Sequence, residues 1–108
     1  MTDKDTQEKI GRLQLMEQNL QQLLLQKQQF QTQLIEITSA MEELKKTDQA
    51  YKIVGNIMVL SKKDELEKDL NTKKEMLDIR IKNIEKQEKI IKEKTQKMQD
   101  EVMKKLKK

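Results

Sequence analysis

The sequence contains no cysteine, histidine, proline or tryptophan, and only one phenylalanine, one tyrosine and two glycines in 108 residues. Each absence removes a class of function. Without cysteine there is neither a disulfide framework nor a thiol nucleophile, and the redox compartment cannot be read from thiol usage. Without histidine the chain lacks the side chain best suited to proton transfer near neutral pH, and zinc loses its usual ligands. Aromatic residues make up 2% of the chain and hydrophobic residues 34%, against about 45–50% apolar in an ordinary domain. That is too little to fill a compact core of its own. No apolar run approaches the roughly 18 residues of a membrane span, and the polar start Met1-Thr2-Asp3-Lys4-Asp5 is unlike a signal peptide. The expectation is a non-enzymatic, cytoplasmic protein without cofactor, metal or membrane contact.

What the chain has in abundance is charge, at 39% of residues, with a net formal charge of +4. Such a composition invites disorder, but the apolar residues are ordered. Alternate steps of three and four from Leu13 give Met16, Leu20, Leu23, Lys27, Phe30, Leu34, Ile37, Met41 and Leu44, so nine of ten seam positions are apolar. This is a heptad seam held over more than four heptads. A second seam runs through Leu70, Leu77, Ile84, Ile91 and Met98, with a weaker companion column of Lys74, Ile81, Glu88, Thr95 and Val102. The pattern predicts helices over 1–48 and 62–108, with Ser61 and Asp64 resembling a capping box. Eight acidic residues meet seven basic ones up to Val54, and eleven meet sixteen from Gly55 onward, so the surplus charge lies on the second arm.

Two arms of equal length joined by a short connector predict an antiparallel pair. A reversal at Gly55-Asn56 puts Leu34 beside Leu77, Phe30 beside Ile81, Leu20 beside Ile91 and Leu13 beside Met98. The polar intruders Lys27 and Glu88 then fall within about one turn of each other, positioned to neutralise one another and to help fix register.

The connector, Tyr51-Lys52-Ile53-Val54-Gly55-Asn56-Ile57-Met58-Val59-Leu60, fits neither heptad. Two β-rich runs flank Gly-Asn, a dipeptide suited to a two-residue hairpin turn. The predicted pairs are Val54 with Ile57, Ile53 with Met58, Lys52 with Val59 and Tyr51 with Leu60, within a hairpin over 50–61. Tyr51, Ile53, Met58 and Leu60 share one face; Lys52, Val54, Ile57 and Val59 share the other. A lone hairpin is marginal in water and leaves two open edges, and both its faces here are mainly apolar. A helical turn is the plainer alternative. The hairpin reading makes Tyr51, Ile53, Val54, Gly55, Ile57, Met58, Val59 and Leu60 an assembly element that docks edge to edge with other subunits.

The whole chain resembles the prefoldin family, in the form of its archaeal β-type subunits. The resemblance rests on Leu20-Gln21-Gln22 and Gln33-Leu34 in the first helix, on Glu43-Leu44, and above all on Tyr51-Lys52-Ile53-Val54-Gly55. It continues through the return strand ending Val59-Leu60 and the long Lys/Glu helix. Asn56 stands where many relatives carry proline. The resemblance implies a single prefoldin-like domain: a mainly α fold, a long antiparallel two-helix coiled coil with a β-hairpin at the connection. Hairpins of two α-type and four β-type subunits would assemble into an intersubunit β-barrel platform. It also implies an ATP-independent holdase that takes unfolded client proteins at the coiled-coil tips and delivers them to a group II chaperonin.

At those tips the sequence places apolar residues off the seam, namely Ile10, Leu15, Met103 and Leu106. Fraying would add the seam members Leu13, Met16, Met98 and Val102. Flexible Met and Leu side chains suit promiscuous capture, although any one of these residues is explained as well by completing the coiled coil. The basic end Lys104-Lys105-Leu106-Lys107-Lys108 is read as a solvated helix terminus complementing the dipole. Two other functions share these features: a structural coiled-coil assembly protein without clients, and a nucleic-acid binder using the basic second arm. No aromatic platform accompanies the charge, so nucleic acid is not expected as a partner.

Overall fold

The computed structural model describes residues 3–106. Its four elements are, in chain order, α1 (Lys4–Lys45), β1 (Ala50–Val54), β2 (Ile57–Ser61) and α2 (Lys63–Leu106). The helices carry 42 and 44 residues, lengths that the absence of proline and the wealth of Leu, Gln, Glu and Lys permit.

The helix ends explain where each element stops. Asp3 is the N-cap of α1: its Oδ1 accepts the Thr6 N–H at 2.7 Å, and its carbonyl accepts the Gln7 N–H at 3.1 Å. The side chain thereby satisfies one of the orphan amides of the helix start, and the carbonyl accepts the first intrahelical bond. At the other end the Lys46 N–H bonds the Glu43 carbonyl at 3.1 Å, and the Thr47 hydroxyl donates to the Gln49 carbonyl at 2.9 Å. The tightened turn and the side-chain bond stop α1 at Lys45, short of the 48 that the heptad pattern suggests. The Ser61–Asp64 capping box does not form either. Ser61 is spent in the ladder opposite Ala50, and Lys62 takes the N-cap position with its carbonyl bonded to the Leu66 N–H at 3.1 Å.

Contacts divide the chain into two compact units, one from the described parts of 1–28 and 82–108, the other from 29–81. In the second unit Leu44, Ala50, Leu77 and Ile81 are buried, with Phe30, Leu34, Ile37, Met41 and Leu70 half-buried beside them. The Arg80 guanidinium lies over the Phe30 ring, 5.6 Å from its centroid, a cation–π contact that shields one ring face. In the first unit Ile84, Glu88, Val102 and Thr6 are buried, while Leu13, Met16, Leu20, Leu23, Ile91 and Met98 are half-buried. In each unit two helical segments pack along one seam, so each seam residue is covered mainly from one side.

Within the first unit the helices run antiparallel in the expected register. The Thr95 hydroxyl meets Met16 Sδ at 3.6 Å, Lys9 meets Glu101 at 3.2 Å and Lys105 meets Asp5 at 2.9 Å. In each case the partner numbers add to 110 or 111. Lys27 Nζ lies 3.6 Å from Glu88 Oε2, so the two polar intruders of the seams do meet.

Candidate functional site

The hairpin pairs as its sequence dictates. Tyr51 faces Leu60, Lys52 faces Val59, Ile53 faces Met58 and Val54 faces Ile57, in an antiparallel ladder. Gly55 has φ of 62° and no other residue has a positive φ among those described. A glycine at the first central position with an ordinary second residue after it matches what a type II′ turn demands, and its twist suits the flanking strands. A side chain at position 55 would be strained although nothing crowds it.

This geometry leaves the hairpin exposed. Ala50 is buried at the root of β1, but Tyr51, Ile53, Val54, Ile57, Met58, Val59 and Leu60 all face solvent, Ile53 and Ile57 at 69% and 68%. Both faces of the two-stranded sheet carry apolar groups into water, and both strand edges are unpaired among the described residues. The apolar surface continues onto the helices. An open groove of about 440 Å³, lined by Leu44, Ala50, Tyr51, Leu66 and Leu70, lies at the root of the hairpin. An apolar patch of this kind marks an interaction surface.

The residues expected at the tips divide by exposure. Leu15, Met103 and Leu106 are exposed; Ile10, Leu13, Met16 and Met98 are half-buried; Val102 is buried at 6%. Among the described residues α1 is helical from Lys4 and α2 to Leu106. Lys107 and Lys108 of the basic end lie outside the described residues.

An ion cluster that no sequence pattern announces joins these ends. Lys105 Nζ lies 2.9 Å from Asp5 Oδ2 and 3.5 Å from Asp3 Oδ2, while Lys9 Nζ lies 3.2 Å from Glu101 Oε2 and 3.5 Å from Asp5 Oδ2. The Asp3 carboxyl is held below its ordinary 3.8, chiefly by hydrogen bonds from the Thr6 hydroxyl and amide, with Lys105 adding to the effect. Asp5 is lowered by its hydrogen bond to Lys105, then by the charges of Lys105 and Lys9. Lys105 is raised above 10.5, first by its hydrogen bond to Asp5. The only local signal is the N-cap type residue Asp3 before a helical run; the partnership of Asp5 with Lys105 comes from the antiparallel register alone.

The sign of the linkage is definite. Carboxylates with lowered folded values stabilise the fold above their unfolded value and stop doing so as pH falls through the folded one. Lysine with a raised folded value stabilises below its unfolded value and stops as pH rises through the folded one. The stability difference between the chain and a Lys105→Gln variant is therefore expected to be flat from about pH 5 to 9 and to close in acid below 3.8 and in base above 10.5. Thermal unfolding of both chains across that range measures it; a difference that survives acid contradicts the cluster.

Further apolar side chains lie outside the heptad seams. Leu24, Leu25, Ile35, Met76, Ile79 and Ile90 are exposed along the helices. Among the described residues no group of three or more His, Cys, Asp or Glu side chains is arranged to hold a metal ion. No described helix is long and apolar enough to cross a membrane.

Two long antiparallel helices joined by an apolar, edge-exposed hairpin define a coiled-coil assembly subunit. Comparison with known proteins gives the class a family. A model of the prefoldin subunit family matches residues 7–108. The chain is 41% identical over 99 residues to prefoldin subunit beta of Methanospirillum hungatei, covering 89% of this chain and 82% of that one. It is 40% identical over 87 residues to prefoldin subunit beta of Archaeoglobus fulgidus, covering 78% and 75%. The crystal structure of the prefoldin beta subunit from Thermococcus strain KS-1 matches with a TM-score of 0.88 at 31% identity, over 94% of this chain and 92% of that one. The chain belongs to the prefoldin family, a chaperone family, as a subunit of the archaeal beta type.

Proposed function

We propose that the chain is one subunit of an ATP-independent holdase. In this reading its hairpin joins those of α-type subunits and further copies of itself, four β to two α, in a β-barrel platform. Its helix ends hold unfolded polypeptides, which pass to a group II chaperonin in the cytoplasm. The observation that carries the reading is the hairpin: seven exposed apolar side chains on a two-stranded sheet leave strand edges and faces to be satisfied by other subunits. Family membership supports the chaperone role.

Client holding is assigned to the helix ends near the two chain termini. Leu15, Met103 and Leu106 are exposed there, and Ile10, Leu13, Met16 and Met98 are half-buried nearby. Each such side chain gives weak, unspecific contact, and several arms holding one client multiply it. The chain assembled with an α-type partner is expected to suppress aggregation of chemically unfolded citrate synthase without ATP. Removing residues 1–12 and 101–108 is expected to lose most of that protection while the oligomer persists by native mass spectrometry. Full protection by the trimmed oligomer would place client binding elsewhere.

A further inference from the structure

We propose that the first two turns of α1, Lys4–Ile10, form a strap hinged at Gly11 and latched to α2 by the terminal ion cluster, and that this latch gates client capture. Gly11 supplies the hinge. It lies inside a 42-residue helix, takes no positive φ, and a Cβ built on it would meet nothing within 4 Å. No turn and no close approach calls for glycine there. Its effect is to weaken the helix at one point, since glycine loses more backbone freedom in a helix than any other residue.

The latch closes on the far side of that point. Every α1 end group in it precedes Gly11: Asp3 and Asp5 hold Lys105, and Lys9 holds Glu101 and Asp5. Thr6, at 2%, and Val102 are buried in the latched state, and Ile10 is half-buried. Opening the strap would bare Val102 beside the already exposed Met103 and Leu106, turning scattered side chains into one continuous apolar patch. The ion pairs are well suited to release. Their carboxylates are 59% and 61% exposed for Asp5 and Asp3, so each pair is weak and screened by salt. A strap held this way conceals apolar surface from other empty subunits and yields it to an unfolded chain that competes for it.

The proposal rests on the client-holding reading, and its test separates the two. In the full chain assembled with an α-type partner, Lys105→Gln is expected to speed amide exchange in 3–10 by about 3- to 10-fold. Gly11→Ala, which fits sterically, is expected to slow it by about 3- to 5-fold. Protection of chemically unfolded citrate synthase should take the same order, Lys105→Gln above the parent and Gly11→Ala below it. High salt should raise the parent towards Lys105→Gln and change that variant less. Unaltered exchange in Lys105→Gln would overturn the latch, and shifted exchange with identical protection in all three chains would overturn the gating. If the trimmed oligomer loses protection while both variants match the parent, the latch falls and the tip reading stands. If the trimmed oligomer keeps full protection, both fall.

Discussion

Replacing Val59 by Asp is expected to leave both helices folded and to abolish assembly with the α-type partner. Val59 faces Lys52 across the ladder, so an Asp at 59 gains an opposite charge directly across the strand, worth about 0.2–1 kcal/mol to the isolated hairpin. The hairpin itself is therefore not broken. The interface is. Packing the valine against another subunit gains about 1.5–3 kcal/mol, which the variant forgoes, and a carboxylate enclosed in apolar surroundings costs several more. A loss of about 4 kcal/mol per contact corresponds to roughly a thousandfold in association, and in the proposed platform every copy of the subunit repeats it. Native mass spectrometry at micromolar concentration should show monomers or small species, with the far-UV circular dichroism of the parent. A full-sized oligomer under those conditions would remove the hairpin from the interface. Val54→Asp, opposite Ile57, has no compensating lysine and is expected to weaken the hairpin as well.

The register of the two helices is legible because three independent signals agree on it. The heptad columns and the Gly55-Asn56 reversal place partners whose numbers add to about 111, the ladder from Ala50↔Ser61 to Val54↔Ile57 obeys the same rule, and the two polar seam residues meet within about one turn of it. A period-2 run interrupting two period-3.5 runs is a strong signal, since neither pattern fits the other's geometry. Exposure on both hairpin faces is legible for the same reason: a chain with this little apolar material has nothing with which to cover them.

The helix ends are not legible. Fraying is the ordinary expectation for a terminus, and it overlooks side chains that find partners across the seam. Lys105 is about one hundred residues from Asp5 in sequence and 2.9 Å away in space. Among 23 basic and 19 acidic residues, nothing local distinguishes that pair from the many that stay solvated. The end of α1 at Lys45 and the idle capping box at Ser61 fail for a related reason. Propensity fixes whether a helix forms, while the hydrogen bonds of Thr47 and the strand pairing of Ser61 fix where it ends.

Glu88 pairs with Lys27 as the seams predict, and it is also a buried charge, which they do not. Only 5% of it is exposed, Lys27 reaches one oxygen at 3.6 Å, and the other oxygen, Oε1, has no hydrogen-bond partner. A separation of 3.6 Å is long for a charge-assisted hydrogen bond, so this layer is only partly satisfied. Lys27→Met is expected to destabilise the chain by about 3 kcal/mol, because it strands a carboxylate that water barely reaches; the fuller exposure of Lys27 keeps the figure at the lower end of the range for buried pairs. The double variant Lys27→Leu with Glu88→Leu is expected to be as stable as the parent or more stable by about 1–4 kcal/mol. Urea unfolding of the parent, Lys27→Leu, Glu88→Leu and the double variant gives the coupling, expected above about 1 kcal/mol. Coupling below about 0.3 kcal/mol would mean that the two charges are solvated separately. The layer is expected to favour one register: sliding the helices by one heptad would carry Glu88 from Lys27 to Leu20 or Leu34, whereas an all-leucine layer accepts either slide. Cross-linking across the seam should accordingly find one register in the parent and more than one in the stabilised double variant.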